Sequence, residues 1–165
     1  MSNIELIQLS LSDGNDEYEL LQRIGPCENH FLNSAYGISR EQFNQWLDEQ
    51  DKWSKGIDLP EGYVPQTVYW LKVDGKPVGI GKIRSRLTES SKKIGGNIGY
   101  AIDPNKRGNG YSTILLKYLL DEARRMKVDE IMLTVDLGNL ASKRAIEKCG
   151  GELFMKNEER WFFRF

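Results

Sequence analysis

Residues 98–112 read Ile-Gly-Tyr-Ala-Ile-Asp-Pro-Asn-Lys-Arg-Gly-Asn-Gly-Tyr-Ser. The segment divides into a short apolar strand, a Pro-marked exit, a Gly-punctuated basic loop and a helix beginning near Gly110. A loop that brings several backbone N–H groups and a helix N-terminus to one point is an anion site, because those N–H groups lack intrahelical partners and sit at the positive end of the helix dipole. Gly108 and Gly110 let the main chain turn tightly and approach a phosphate, and Lys106 and Arg107 add positive charge.

Outward from this loop, the rest of the chain narrows the partner. The 165 residues suffice for one domain with a real core. Lys and Arg number 23 against 24 Asp and Glu, so the formal charge of −1 gives no global field drawing the chain to nucleic acid or to a membrane surface. Any basic site must be local. The two cysteines, Cys27 and Cys149, are far apart and have no Cys-x-x-Cys partner, and His30 is the single histidine, so neither a disulfide framework nor a metal site is expected. No window is apolar enough to span a bilayer and the N-terminus lacks a signal pattern, so a cytoplasmic protein is expected.

The hydrophobic pattern gives an element order. Residues 4–9 alternate as a strand, and residues 13–24 carry Tyr18, Leu20, Leu21 and Ile24 at helical spacing. Residues 39–51 form a second helix with a Ser39/Gln42 capping box and a Phe43, Trp46, Leu47 stripe. Residues 52–65 read as a loop. Residues 66–73 and 77–87 are two long antiparallel strands around an Asp74-Gly75 hairpin signal. A fourth strand at 97–102 leads to a third helix at 110–127, a fifth strand at 130–136, a short helix capped by Asn139 and stopped at Gly150, and a closing hairpin at 152–155 and 160–165. The expectation is a single α+β or mixed α/β domain, residues 1–165, in which the crossover through the third helix makes the fourth and fifth strands parallel neighbours. Ligands of such sheets bind outside the C-terminal ends of parallel strands, where the glycine loop lies.

Two common phosphate motifs do not fit. A Walker loop needs Gly-Lys-Ser/Thr, and no Lys follows Gly110; a dinucleotide fingerprint needs a third glycine where Ser112 stands. Arg107, Gly108, Asn109, Gly110, Tyr111 and Ser112 instead resemble the R/Q-x-x-G-x-G/A acyl-CoA pyrophosphate motif of the GNAT-type N-acyltransferases. Residues 139–151, NLASKRAIEKCGG, resemble that family's second cofactor segment, N-x-x-A/S-x-x-x-Y-x-K-x-G-F, at the usual separation. The strong resemblance spans 68–151, closest to the bacterial branch described as predicted acetyltransferases.

This resemblance implies a mostly antiparallel sheet of about seven strands with flanking helices, the fourth and fifth parallel and splayed. It implies acetyl-CoA as co-substrate with no metal, the pyrophosphate on 107–112, and the pantetheine arm along Tyr100, Ala101 and Ile102, with Asn139 and Ser142 on its other side. Lys143, Arg144 and Lys148 are candidates for the distal phosphate. Residues 66–165 form the cofactor-binding core and residues 1–65 the acceptor side. The implied reaction is direct transfer of an acetyl group to a primary amine of a small molecule, amino acid or protein by a monomer or homodimer.

Catalytic roles are less complete. A backbone N–H near Tyr100 is the oxyanion donor expected. Gly95, Gly96 and Asn97 occupy the place where some members carry a base carboxylate, which makes Asn97 the candidate there, and Ile146 stands where many carry an acid tyrosine. A non-catalytic acyl-CoA-binding module is the alternative those two departures raise. For the acceptor, Tyr36, Trp46, Trp53, Tyr69 and Trp70 make an aromatic-rich half and Glu41, Asp48, Glu49 and Asp51 an acidic helix, which would suit a cationic amine. Arg84 and Arg86, alternating on one strand face, would suit an acidic one.

Overall fold

The structure, a computed structural model, describes residues 1–28 and 31–165; His30 lies outside the described residues. The strands, in chain order, are β1 (Ile4–Gln8), β2 (Cys27–Glu28), β3 (Phe31–Leu32), β4 (Gln66–Val73), β5 (Lys76–Arg84), β6 (Ile98–Ile102), β7 (Met132–Asp136), β8 (Glu152–Lys156) and β9 (Arg160–Arg164). The helices are α1 (Asn15–Ile24), α2 (Arg40–Ser54), α3 (Glu89–Lys93), α4 (Tyr111–Arg125) and α5 (Leu140–Lys148).

Local chemistry accounts for most boundaries. The β4–β5 hairpin turns through Asp74 and Gly75, both at positive φ (50° and 82°), the geometry a tight Asp-Gly turn needs. Ser39 accepts from Gln42 N at 3.1 Å while Gln42 Oε1 accepts from Ser39 N at 2.8 Å, so the capping box starts α2 as expected. Four elements were not foreseen: the two-residue strands β2 and β3, the single turn of α3, and a 3₁₀ turn over Pro104–Lys106. Helix α3, with sequence ESSKK, has no apolar period to reveal it. Its start is fixed by Thr88, whose hydroxyl accepts from Ser91 N at 3.1 Å.

Strands β1, β4, β5 and β6 form one antiparallel sheet, and β7, β9 and β8 a second, in the spatial orders given. On one face of the first sheet, Leu115, Leu116 and Leu119 of α4 pack with Tyr69, Leu71 and Ile83. The approach is close: a side chain at Gly81 would meet Leu119 Cδ1 at 2.5 Å. On the other face Leu20 and Leu21 of α1 and Phe43 and Leu47 of α2 bury Trp70, Ile80 and Ala101. Burial of such aliphatic and aromatic side chains, each worth about 1.5–3 kcal/mol, holds the layers together.

The expected sheet needs correction. There are nine strands among the described residues rather than about seven, and the expected fourth and fifth strands, β6 and β7, lie in separate sheets with no hydrogen-bonded ladder between them. They meet at one end. Gly96, at φ 64°, bends the chain so tightly against β7 that a Cβ there would lie 1.9 Å from Met132 O. Asn97 N then donates to Met132 O at 3.0 Å. The fully buried Asn97 side chain completes the junction, donating to Glu130 O at 2.6 Å and accepting from Met132 N at 2.9 Å. Beyond this point the sheets part.

This clamp makes a test possible. Asn97→Asp keeps the shape, yet an ionised carboxylate faces the Glu130 carbonyl with no proton to give, whereas the neutral acid can donate. The folded-state pKa is then raised above the unfolded value of about 3.9, so the variant approaches wild-type stability below that pH and falls behind as pH rises through the folded value. Urea unfolding of both proteins from pH 4 to 8 is expected to show a widening gap; a gap independent of pH contradicts the donor role.

Candidate acyl-CoA cleft

Where the sheets part, a cleft of about 610 Å³ opens. One wall is β6. Arg84 N donates to Asn97 O and Asp103 N to Val78 O, both at 2.8 Å, and the register pairs Gly99 with Lys82 and Ala101 with Ile80. By the alternation of an antiparallel ladder, odd-numbered residues of β6 spend their main-chain groups on β5, while the N–H and C=O of Tyr100 and Ile102 point the other way, into the gap. Ala101 therefore lines the cleft without offering main-chain hydrogen bonds to it.

The cleft ends at the glycine loop. Gly110 is the N-cap of α4 at φ 79°, with no side-chain hydrogen bond capping the helix, so the leading N–H groups are left to another acceptor. Open space lies where Cβ atoms of Gly108 and Gly110 would stand, with no atom within 4 Å. Lys106, Arg107, Tyr111 and Ser112 also border this end. Asn109 faces the loop itself, its Nδ2 donating to Lys106 O at 2.9 Å and so bracing the turn. A residue not foreseen in the sequence holds the loop in place: buried Asp103 accepts from Asn105 N at 2.9 Å and pairs with Arg23 of α1 at 2.9 Å.

Across from β6, Asn139 caps α5, its Oδ1 accepting from Ser142 N at 3.3 Å. Its Nδ2 is buried with no partner among the described residues, and so is the Tyr100 hydroxyl. Both residues line the cleft. Burial pushes the Tyr100 hydroxyl above its usual pKa, outweighing a downward pull from Ser142, so it remains a proton donor at neutral pH. Two orphaned polar groups, an unpaired strand edge and an uncapped helix N-terminus form a set of donors and acceptors that fits a ligand of amides ending in a phosphate.

Other expectations fall away from the cleft. Asn97 is consumed by the clamp and faces no ligand space. Lys143 pairs with Glu147 at 3.1 Å and lies 5.2 Å from the Trp161 ring, while Arg144 and Lys148 are exposed on α5 outside the cleft lining. Ile146 alone of these reaches the cleft wall, as an apolar side chain buried in the core that offers no proton. None of Tyr36, Trp46, Trp53, Tyr69 and Trp70 lines the cleft. Trp46 donates to Ser34 Oγ at 2.9 Å, Trp70 to Asp13 Oδ2 at 2.8 Å and Tyr69 to Glu122 at 3.1 Å, while Trp53 packs edge-on to Tyr63, all outside the cleft. Asp48 and Asp51 pair with Lys52 and Lys55 along α2.

Lys82 was not foreseen. It sits within the apolar strand β5 and reaches the cleft beside Arg84, while Arg86 lies beyond the strand and is exposed. Lys82 Nζ donates to Leu32 O at 2.9 Å and lies 4.6 Å from the Phe31 ring. A lysine within Val78-Gly-Ile-Gly-Lys82-Ile-Arg84 breaks an otherwise apolar run, which was the available signal. Both cysteines are free thiols. Among the described residues no group of three or more His, Cys, Asp or Glu is placed to hold a metal ion, and no helix is long and apolar enough to cross a membrane.

Comparison with known proteins bears on the whole architecture. An acetyltransferase of the GNAT family from Streptococcus pneumoniae superposes with a TM-score of 0.67 at 16% identity, covering 99% of each chain. RimL, a ribosomal L7/L12 alpha-N-protein acetyltransferase solved with coenzyme A, superposes with a TM-score of 0.71 at 15% identity, covering 98% of this chain and 93% of its own. The microcin C7 self-immunity acetyltransferase MccE, solved with acetyl-CoA and AMP, gives 0.66 at 17% identity, covering 98% and 91%. Such identities speak for the fold alone. Among curated protein sequences none matches this chain. The Acetyltransferase (GNAT) family model matches residues 29–151, which is most of the chain and includes both segments that border the cleft. The chain belongs to the GNAT acetyltransferase family.

Proposed function

We propose that the protein transfers an acetyl group from acetyl-CoA directly to a primary amine of a small molecule, amino acid or protein. The observation that carries this reading is the unpaired edge of β6 running into the uncapped N-terminus of α4. Main-chain groups of Tyr100 and Ile102 would pair with the pantetheine amides as an added strand does. The N–H groups of 108–112 would receive the pyrophosphate, favoured by the α4 dipole. That both CoA-bound relatives share this fold supports the placement.

Acetyl-CoA supplies the thioester carbonyl that the amine attacks. The Tyr100 N–H, fixed at the splay, would donate to the carbonyl oxygen as negative charge develops, a role worth about 2.7–4 kcal/mol for a single well-placed donor. The Tyr100 hydroxyl, held protonated by burial, would give its proton to the departing thiolate, a role that Ile146 cannot fill. Asn139 Nδ2 would donate to a carbonyl of the arm. Lys143, Arg144 and Lys148, which lie outside the cleft lining, stay candidates for the distal phosphate and not for the transfer step.

Thiol release from acetyl-CoA across a panel of amines near pH 8 is expected to exceed the rate without amine. No acceleration by any amine, with CoA still bound, would favour a non-catalytic acyl-CoA-binding module. For the loop, Gly110→Asp puts a carboxylate beside the pyrophosphate, while Gly110→Asn has the same shape and tolerates the left-handed backbone without the charge. Asp is expected to weaken CoA binding at least about tenfold more than Asn, a difference of ~1.4 kcal/mol; equal affinities would remove the loop from the phosphate site. Tyr100→Phe is expected to lower kcat about 10²-fold or more, in the range of general acid catalysis, with KM for acetyl-CoA little changed. Unchanged kcat would assign the proton to another group.

A further inference from the structure

The two ends of the cleft carry positive charge of different kinds. At the loop end it comes with backbone N–H groups and an open helix terminus. At the far end it is Lys82 and Arg84, two cations on one face of β5. The strand between them separates the ends: Ile98 to Ile102 spans about 13 Å at ~3.3 Å per residue. If the phosphates of CoA lie on the loop, as proposed above, the thioester comes to the middle of β6 and the Lys82–Arg84 pair stands beyond it.

Nothing within the described protein neutralises that pair. Lys82 donates to Leu32 O and Arg84 to Gly96 O at 3.0 Å, both neutral carbonyls. Among the described residues no carboxylate contributes to the electrostatics of either, and each is disfavoured by burial, Lys82 also by the charge on Arg84. Burial, followed by Arg84, brings the Lys82 ammonium down to a pKa of about 8, so it is still mainly charged at neutral pH. Partly buried like charges without an anion between them destabilise a fold, and that arrangement in a ligand cleft marks the place of an anionic ligand group. Lys82 uses one of its three N–H donors on Leu32 and Arg84 one of its five on Gly96, which leaves several for that group.

We propose that Lys82 and Arg84 form the anion-binding half of the acceptor subsite, so that the small amine acetylated by this protein carries a carboxylate or a phosphate close to its amino group. The inference rests on the acetyltransferase reading and gives it a substrate class. Phe31, whose ring lies against Lys82 and next to Gly99, forms the apolar side of the same subsite. The absent side chain of Gly99 leaves the space in which the amine meets the thioester: a Cβ there would stand 3.5 Å from Phe31 Cδ2.

The test compares acceptors that differ only in the anion. Thiol release is measured with the free L-amino acids against their carboxamides, and with O-phosphoethanolamine against ethanolamine. In at least one of the two arms the anionic member is expected to exceed its neutral partner in kcat/KM by at least about tenfold, and the arm that shows it tells carboxylate from phosphate. Lys82→Met and Arg84→Met are each expected to bring that ratio close to one while KM for acetyl-CoA changes less than about threefold, within 1 kcal/mol. Lys82→Met removes a charge that burial disfavours, so its thermal stability is expected to match or exceed wild type and a lost preference cannot be put down to misfolding. Lys82→Glu is expected to favour the neutral amine. Neutral partners acetylated as well as anionic ones, or equal losses with both in the variants, would overturn the proposal.

A calorimetric titration of the CoA complex with N-acetylglycine and N-acetylglycinamide reads the subsite without turnover. If no amine is turned over, the acetyltransferase reading fails, and the subsite stands if wild type prefers N-acetylglycine and Lys82→Met does not. Equal binding of the two probes by wild type then overturns the subsite as well.

Discussion

The architecture depends on Asn97. One buried side chain both donates to and accepts from the backbone at the start of β7, and its own N–H adds a third bond. Those bonds tie together two sheets that share no ladder. Because the tie is at one end only, β6 and β7 separate beyond it, and the main-chain groups of Tyr100 and Ile102 lose the partners a continuous sheet would give them. Buried backbone polar groups are rarely left unpaired. The edge thus calls for a ligand that brings its own amides, and Gly96 makes the bend possible because no side chain fits against Met132.

From that geometry follows a division of labour along the cleft. The loop end presents N–H groups, a helix terminus and the basic residues Lys106 and Arg107, suited to diffuse phosphate charge. The middle presents an unpaired strand edge and two orphaned polar side-chain groups, on Tyr100 and Asn139. The far end presents Lys82 and Arg84 against Phe31. Helix α1 is tied to the scheme through the Arg23–Asp103 pair, so a residue of the N-terminal part steadies the loop that follows β6.

The sequence was most legible where the controlling chemistry is local. The Asp74-Gly75 turn, the Ser39/Gln42 box, the Asn139 cap and the glycine loop before α4 each depend on residues within a few positions of one another, and they lie where the pattern put them. What the pattern left out depends on distant partners. Asn97 reads as a polar residue at the start of a strand, and only its meeting with Glu130 and Met132 makes it a clamp instead of a catalytic group. Lys143 reads as a solitary cation on α5, and only the C-terminal hairpin sets Trp161 beside it. Arg84 and Arg86 read as a pair, yet β5 stops at Arg84, so the cation that shares its face in the cleft is Lys82. Of the aromatic residues of the N-terminal half, Trp46, Tyr69 and Trp70 went to the core on the two faces of the first sheet, while Tyr36 stays exposed and Trp53 half-buried against Tyr63.

As proposed, the cleft has a phosphate end at the α4 N-terminus and an acceptor end at Lys82 and Arg84. The most direct measurement is a crystal structure of the protein with acetyl-CoA. Pyrophosphate oxygens are expected within hydrogen-bond distance of main-chain N–H groups of 108–112, pantetheine amides paired with Tyr100 or Ile102, and the thioester between Tyr100 and Gly99 with Lys82 and Arg84 beyond it. Phosphates seated on Lys82 and Arg84, with the glycine loop empty, would contradict it.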